Sequence, residues 1–196
     1  MLKRLFDIVF SLFGIILLVP IFLLIAVFII FDSKGKIVYK QVRVGKNGKD
    51  FFVFKFRTMI SNAEKKGLLT VGAKDSRITR VGFFLRKYKL DELPQLANVL
   101  IGDMSFVGPR PEVRKYVNMY NEEQLQVLSV RPGITDYASI QFANENELLG
   151  KVSNPEEVYV NEVMPEKLLL NLKYIREKNF FKDVKIIFKT FIKILA

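Results

Sequence analysis

Cysteine and histidine are both absent from the 196 residues. That excludes disulfides, Cys/His zinc sites, thiol nucleophiles and any Ser-His or Cys-His mechanism. Chemistry in this chain must therefore use carboxylates, Lys, Arg, Tyr or a hard metal held by oxygen. Acidic residues are also scarce: 20 Asp and Glu stand against 31 Lys and Arg, for a formal net charge of +11. Such a balance calls for an anionic partner, whether nucleic acid, anionic lipid or a phosphorylated small molecule. The length allows one compact domain plus an anchor. No internal repeat or low-complexity tract interrupts it.

Charge is missing altogether from residues 8–31, a run broken only by Ser11, Gly14 and Pro20. This is a membrane segment. A cleaved signal peptide would have a shorter apolar run and small residues after it, whereas Asp32, Ser33 and Lys34 follow here. As one straight helix the run rises about 36 Å, enough to cross a hydrocarbon core of about 30 Å. Pro20 sits near its middle and favours a kink between two halves, neither of which spans alone. Lys3 and Arg4 precede the run, while Lys34, Lys36, Lys40, Arg43, Lys46 and Lys49 follow it, which disfavours translocating either end. From these features, a helix that bends at Pro20 and returns competes with a kinked spanning helix.

Beyond residue 33 the pattern is α+β. Residues 36–45 and 51–59 alternate as strands, and Asn47-Gly48 between them is a hairpin signal. Residues 61–76 read as a helical turn and a loop, and residues 80–89 as a short helix. After Pro94, the spacing of Leu96, Ala97 and Leu100 predicts an amphipathic helix whose first turn carries Asp91 and Glu92. Residues 102–111 read as a loop, 112–128 as helical, and RPGIT as a turn leading to an irregular segment. From about Glu166 two helical stretches follow. In the last, Lys182, Lys185, Lys189 and Lys193 share one face while Phe181, Val184, Ile187, Phe188, Phe191, Ile192 and Leu195 fill the rest. Such a helix lies in a membrane interface or packs on the core.

The adjacent carboxylates in KYKLDELPQL are the main candidate for chemistry. The bland alternative is a solvated helix start, where acidic residues are favoured. An ionised Asp can attack phosphorus, and adjacent carboxylates can hold magnesium. Around the pair stand Arg77, Arg80, Arg86, Lys87 and Lys89, and Arg110 lies in VGPRP with a proline on each side. Cations, a metal and a carboxylate nucleophile are the parts that phosphoryl transfer needs. Nucleic acid is disfavoured as a partner because the aromatics lie in apolar runs and no binding motif is present.

Six motifs in order, QVRVG at 41–45, KFRTM at 55–59, DSRIT at 75–79, DELPQL at 91–96, GDMSFVGPRP at 102–111 and RPGIT at 131–135, resemble the signatures of the bacterial sugar transferases, specifically the small monotopic phosphoglycosyl transferases. The resemblance covers nearly the whole chain. It implies transfer of a sugar phosphate from a UDP-sugar to a polyprenol phosphate, normally undecaprenyl phosphate, with release of UMP, as the opening step of glycan assembly. It implies Asp91 as the nucleophile that becomes a phosphosugar-aspartate, and Asp91 and Glu92 as holders of Mg2+, with Glu92 assisting proton removal. Arg110 would bind nucleotide or phosphate, and Lys55 or Arg57 would contact phosphate. Arg77 and Arg86 join the substrate-binding set, as does Asp183, whose alternative is a local salt bridge with a neighbouring lysine. The resemblance also implies a re-entrant membrane helix, residues 1–33 bent at Pro20, and a catalytic domain, residues 34–196, on the cytoplasmic face of the inner membrane.

Two departures stand out. Val19 precedes the membrane proline where many relatives have Ser. After PGIT the chain reads DYAS and then QFANE, without the Gly-Arg pair common in the family, so residues 136–145 are expected to shape the sugar pocket instead. A basic membrane-associated binding protein and another magnesium-dependent phosphotransferase or hydrolase are the competing readings. The sugar and the oligomeric state carry no signature in the sequence.

Overall fold

An apolar helix, α1 (Leu2–Asp32), opens the chain in a computed structural model that describes residues 1–61, 63, 69, 72 and 75–195. Its 31 residues rise about 46 Å, and among the described residues it is the one helix long and apolar enough to cross a membrane. One narrow stripe faces inward. Asp7, Ser11, Ile25 and Ile29 are buried, and Gly14, Leu18 and Phe22 between them are half-buried, at steps of three and four residues. Pro20 lies on the exposed side, inside a helical segment that runs without a break from Leu2 to Asp32.

The antiparallel hairpin is as expected, with β1 (Val38–Val44) paired to β2 (Asp50–Phe56) and Val44 opposite Asp50. Asn47 and Gly48 both take positive φ in the turn. Most of the helical turn and loop expected over 61–76 lies outside the described residues. Helix α2 (Arg80–Lys87) begins at Thr79, whose hydroxyl accepts the Gly82 amide at 3.0 Å. A side chain at Gly82 would meet the Thr58 carbonyl at 2.1 Å, so glycine is what lets α2 approach that strand end. Helix α3 (Gln95–Ile101) follows a 3₁₀ turn, Leu90–Glu92. The acidic pair thus sits in that turn, ahead of the helix it was expected to start.

The segment expected to be loop contains β3 (Ser105–Val107), paired in parallel with β4 (Gly133–Thr135). Between them the expected single helix over 112–128 is broken into α4 (Arg114–Val117), α5 (Glu122–Leu125) and a 3₁₀ turn. A capping box at Asn121 and Gln124 starts the second piece. The segment read as irregular holds α6 (Tyr137–Gln141), α7 (Glu145–Leu149) and α8 (Pro155–Val158). A π turn then leads into α9 (Met164–Glu177), and α10 (Phe180–Leu195) closes the chain.

The main core joins Tyr116, Leu149, Tyr159, Val163, Leu168 and Leu172 from the later helices. A second cluster joins Ile25 and Ile29 of α1 to Phe56 and Leu85, so α1 contributes to the core as well as presenting an apolar outer face. Both ends of α1 are bonded to the rest of the chain. Arg4 donates to the carbonyls of Val99 (2.6 Å) and Leu100 (2.9 Å), and the Asp32 carboxylate accepts the Val81 amide at 3.1 Å. Helix α10 packs on the core through Ile186, which is buried, and leaves Phe181, Phe188, Phe191 and Ile192 exposed.

Candidate active site

Three local structures bring the charged residues together. The 3₁₀ turn carries Asp91 and Glu92, β2 carries Lys55, and the loop after β3 carries Arg110. Asn98 of α3 fixes the first two relative to each other. Its side chain is wholly buried, donates to the Phe52 carbonyl at 2.7 Å and accepts the Phe54 amide at 2.9 Å, completing hydrogen bonds on the free edge of β2. Lys55 therefore faces the turn, and its ammonium lies 3.2 Å from Glu92 Oε1.

Arg110 arrives from the other side. The parallel bridge brings the backbone of Gly108 against Gly133, where a side chain on Gly133 would meet the Gly108 nitrogen at 2.1 Å. Asp136, fully buried, accepts the Arg110 amide at 3.1 Å and the Ser139 amide at 2.5 Å, so one carboxylate both caps α6 and holds the loop. With prolines on either side, the Arg110 backbone has little freedom. Its guanidinium donates to both oxygens of Glu92, with Nη1 to Oε2 at 3.1 Å. The side chain keeps 35 % of its surface exposed, so it can also reach a ligand.

The two carboxylates consequently differ. Burial raises the Glu92 pKa, but the charges of Arg110 and Lys55 and the hydrogen bonds from Arg110 outweigh it and hold Glu92 well below the usual carboxylate range. Asp91 is buried too, and among the described residues no hydrogen bond or ion pair reaches its carboxylate. Burial and the neighbouring charge of Glu92 raise its pKa, with Lys55, Arg86 and Lys89 opposing. Arg86 donates to Thr58 Oγ1 at 2.9 Å and acts on Asp91 through its charge. Four cations, Lys55, Arg86, Lys89 and Arg110, thus act on two carboxylates. The excess positive charge suits a polyanion.

A family model described as bacterial sugar transferase matches residues 1–196. The chain belongs to that family. It is similar to a UDP-N-acetylgalactosamine-undecaprenyl-phosphate N-acetylgalactosaminephosphotransferase of Aeromonas hydrophila, 37% identical over 198 residues that cover 100% of this chain and 44% of that protein. A UDP-glucose:undecaprenyl-phosphate glucose-1-phosphate transferase of Escherichia coli (strain K12) is 36% identical over 201 residues, 98% of this chain and 40% of that protein. The exopolysaccharide production protein PSS of Rhizobium leguminosarum bv. phaseoli is 37% identical over 202 residues, 100% of this chain and 96% of that protein. The chain thus spans less than half the length of the first two relatives and nearly all of the third.

Against this bacterial sugar transferase frame, the expected site residues divide into two groups. Lys55, Arg86, Asp91, Glu92 and Arg110 come together. The other three have partners elsewhere. Arg57 is buried and donates to the carbonyls of Ile29 (3.2 Å), Ser33 (2.5 Å) and Lys36 (2.9 Å), closing the C-terminal end of α1. Arg77 pairs with Asp75 at 2.6 Å and donates to the Leu69 carbonyl at 2.6 Å, ordering the segment before α2. Asp183 accepts Lys3 Nζ at 2.5 Å and the Tyr174 hydroxyl at 2.7 Å, tying α10 to α1 and α9. A lysine does pair with Asp183, but it lies 180 residues away rather than on the same helix.

Asn98 and Asp136 escaped the sequence reading. Asn98 resembles any polar residue in an amphipathic helix. Asp136 carries a usable signal, since Asp ahead of a helical run is an N-cap pattern.

Proposed function

We propose that the chain transfers a sugar 1-phosphate from a UDP-sugar to undecaprenyl phosphate, releasing UMP, at the cytoplasmic face of the bacterial inner membrane. The observation that carries this reading is the contrast within the acidic pair: a buried Asp91, unpaired among the described residues, beside a Glu92 locked to Lys55 and Arg110. An Asp with a raised pKa is a more basic, stronger nucleophile once ionised. In the first step an Asp91 oxygen attacks the phosphorus bearing the sugar, the bond to the UMP oxygen breaks, and UMP leaves with that electron pair. In the second, an oxygen of the lipid phosphate attacks the same phosphorus, the Asp91–phosphorus bond breaks, and the carboxylate is restored. A fully ionised lipid phosphate needs no proton removed, which agrees with a Glu92 held ionised and too weakly basic to serve as a proton acceptor. Its role in this reading is to aim Arg110 and Lys55 at the phosphates.

The donor set also fits Mg2+. Magnesium commonly binds through one or two carboxylates plus substrate phosphates. Asp91 offers a carboxylate unpaired among the described residues and Glu92 a second whose ion pairs would have to loosen. When bound, the ion would neutralise charge on the diphosphate.

The attachment of α1 supports a monotopic arrangement. Arg4 at one end and Asp32 at the other both bond to the same folded domain, with Ile25 and Ile29 in its core, which favours both ends on one side of a bilayer. In this reading the stripe opposite, including Val9, Phe13, Leu17, Leu24 and Phe31, faces lipid.

The test is UMP release from a panel of UDP-sugars by the full chain in nanodiscs with undecaprenyl phosphate, with and without magnesium. Expected are release with one preferred sugar, its abolition in Asp91→Asn, and a phosphosugar adduct on the wild type in intact mass spectra without acceptor. Salt-dependent lipid binding that survives Asp91→Ala, with no turnover, would leave a binding protein instead.

A further inference from the structure

Lys89 is one of only two non-glycine residues with positive φ among the described residues, at φ 56° and ψ 19°. The other, Asn47, belongs to a residue type that tolerates this region, and lysine does not share that tolerance. The position ends α2: the Lys89 amide bonds to the Arg86 carbonyl at 3.2 Å, and the chain then turns left-handed into the 3₁₀ turn bearing Asp91 and Glu92. Glycine is the residue such a helix end favours. A lysine there costs backbone energy that its side chain must offset elsewhere.

The fold supplies no such compensation. Lys89 is exposed, and among the described residues its ammonium makes no hydrogen bond or ion pair. Its charge nevertheless acts on both members of the acidic pair. Lys89 is thus a solvent-facing cation two residues from Asp91, held in place by strained backbone.

What adjoins it is apolar. Helix α2 packs on α1 through Leu85 and Val81 against Ile25 and Ile29, which leaves Phe83, Phe84 and Tyr88 exposed on its outer side. Phe84 and Tyr88 are in contact, with ring centroids 4.8 Å apart and planes tilted by 56°, and the Lys87 ammonium lies 5.4 Å from the Tyr88 ring centre. These rings are exposed on the helix that packs on α1 and leads directly into the turn bearing Asp91 and Glu92. A ligand that fits has an apolar tail and an anionic head, with the head reaching Asp91.

We propose that Lys89, with Phe84 and Tyr88, is the acceptor subsite: the ammonium receives the phosphate of the isoprenoid phosphate, and the two rings receive the first units of its chain. This rests on the transfer reaction proposed above. Lys89 offsets the charge of the lipid phosphate as it approaches the phosphosugar-aspartate, while Lys55 and Arg110, bonded to Glu92, remain with the nucleotide sugar. Phosphate and prenyl chain are thereby read by different groups.

The experiment measures initial transfer rates by the full chain in nanodiscs, varying undecaprenyl phosphate at saturating UDP-sugar and the reverse, for Lys89→Gly, Lys89→Gln, Lys89→Arg and Phe84→Ala. Glycine relieves the backbone and glutamine does not, yet both remove the charge. Both are expected to raise the acceptor KM roughly tenfold, the scale of one charge-assisted hydrogen bond, and to move the UDP-sugar KM by less than about twofold. Lys89→Arg should restore most of the loss, and Phe84→Ala should raise the acceptor KM with no effect on the donor. An unchanged acceptor KM in Lys89→Gly, or equal changes for donor and acceptor, would overturn the subsite while leaving the reaction standing. A wild-type protein that releases no UMP from any UDP-sugar would overturn the reaction and the subsite with it.

Discussion

Arg110 donates to both carboxylate oxygens of Glu92, yet Asp91, the preceding residue, receives no ion pair among the described residues. Adjacent acids in one turn have been given opposite electrostatic states, and two expectations follow from this and the contacts that maintain it, with two more from the contacts that hold α1 and α10.

The pH dependence should belong to Asp91. In the proposed reaction its carboxyl must be ionised to attack, and burial and the charge of Glu92 raise its pKa above the ordinary 3.8, so the acid limb of kcat/KM should lie above that value. Glu92→Gln removes the repelling charge and frees Lys55 and Arg110 to turn toward Asp91. The limb should therefore move to lower pH while kcat falls by roughly a hundredfold through loss of the aimed cations. The stability signs are opposite for the two acids. Glu92, depressed in the fold, contributes stability that is present above its ordinary 4.5 and lost as pH falls through its lowered value. Asp91, raised in the fold, subtracts stability as pH rises through its own. A pH–rate profile and thermal unfolding of both proteins test this, and an acid limb that moves upward in Glu92→Gln would refute it.

Asp136 should act on the donor through Arg110. Asp136→Ala leaves the buried amides of Arg110 and Ser139 without their acceptor, at a cost of about 1–3 kcal/mol each. With the loop loosened, the UDP-sugar KM should rise about tenfold while the acceptor KM stays near wild type. Asp136→Asn, which keeps an accepting oxygen, should recover part of the loss. Steady-state kinetics on both substrates would show a purely structural role as loss of stability with both KM values unchanged.

Arg57 should govern stability rather than donor binding. Arg57→Met strips a donor from three carbonyls at the end of α1, which predicts a loss of about 2–4 kcal/mol in unfolding free energy. The UDP-sugar KM of the folded fraction should stay within about twofold. A tenfold rise in that KM would return Arg57 to the phosphate-binding role that its motif suggests.

Lys3 and Asp183 should be coupled. Lys3 is 40 % exposed, so the pair is partly screened, and Lys3→Met or Asp183→Asn alone should cost only about 1–2 kcal/mol. The double variant should cost about 1 kcal/mol less than the sum, and each single variant should speed proteolysis of α10. Strict additivity would mean that Lys3 and Asp183 stabilise the fold independently.

Much of the fold is legible in local patterns. Alternation and Asn47-Gly48 foretell the hairpin, and periodicity foretells α1, α3 and α10. The parallel pair β3 and β4 is not legible, since three-residue strands 25 residues apart leave no periodic trace and are specified by contacts such as Gly108 on Gly133. Within the site, motif order points to Asp91, Glu92, Lys55, Arg86 and Arg110, but a motif does not say which way an arginine turns. Arg57 and Arg77 look equally suited to phosphate, and only tertiary structure reveals that carbonyls and Asp75 claim them first. Asp183 fails to read for a related reason: its lysine partner lies at the far end of the chain.

The inward stripe of α1 also bears on how the protein can be handled. Removing residues 1–33 to obtain a soluble fragment would leave Phe56 and Leu85 without Ile25 and Ile29, Ser105 and Phe106 of β3 without Asp7, and the Val81 amide of α2 without Asp32. The apolar helix and the cluster around Asp91 and Glu92 therefore share one folding unit, and solubility is better sought by replacing the outward residues of α1 with polar ones than by cutting the helix away.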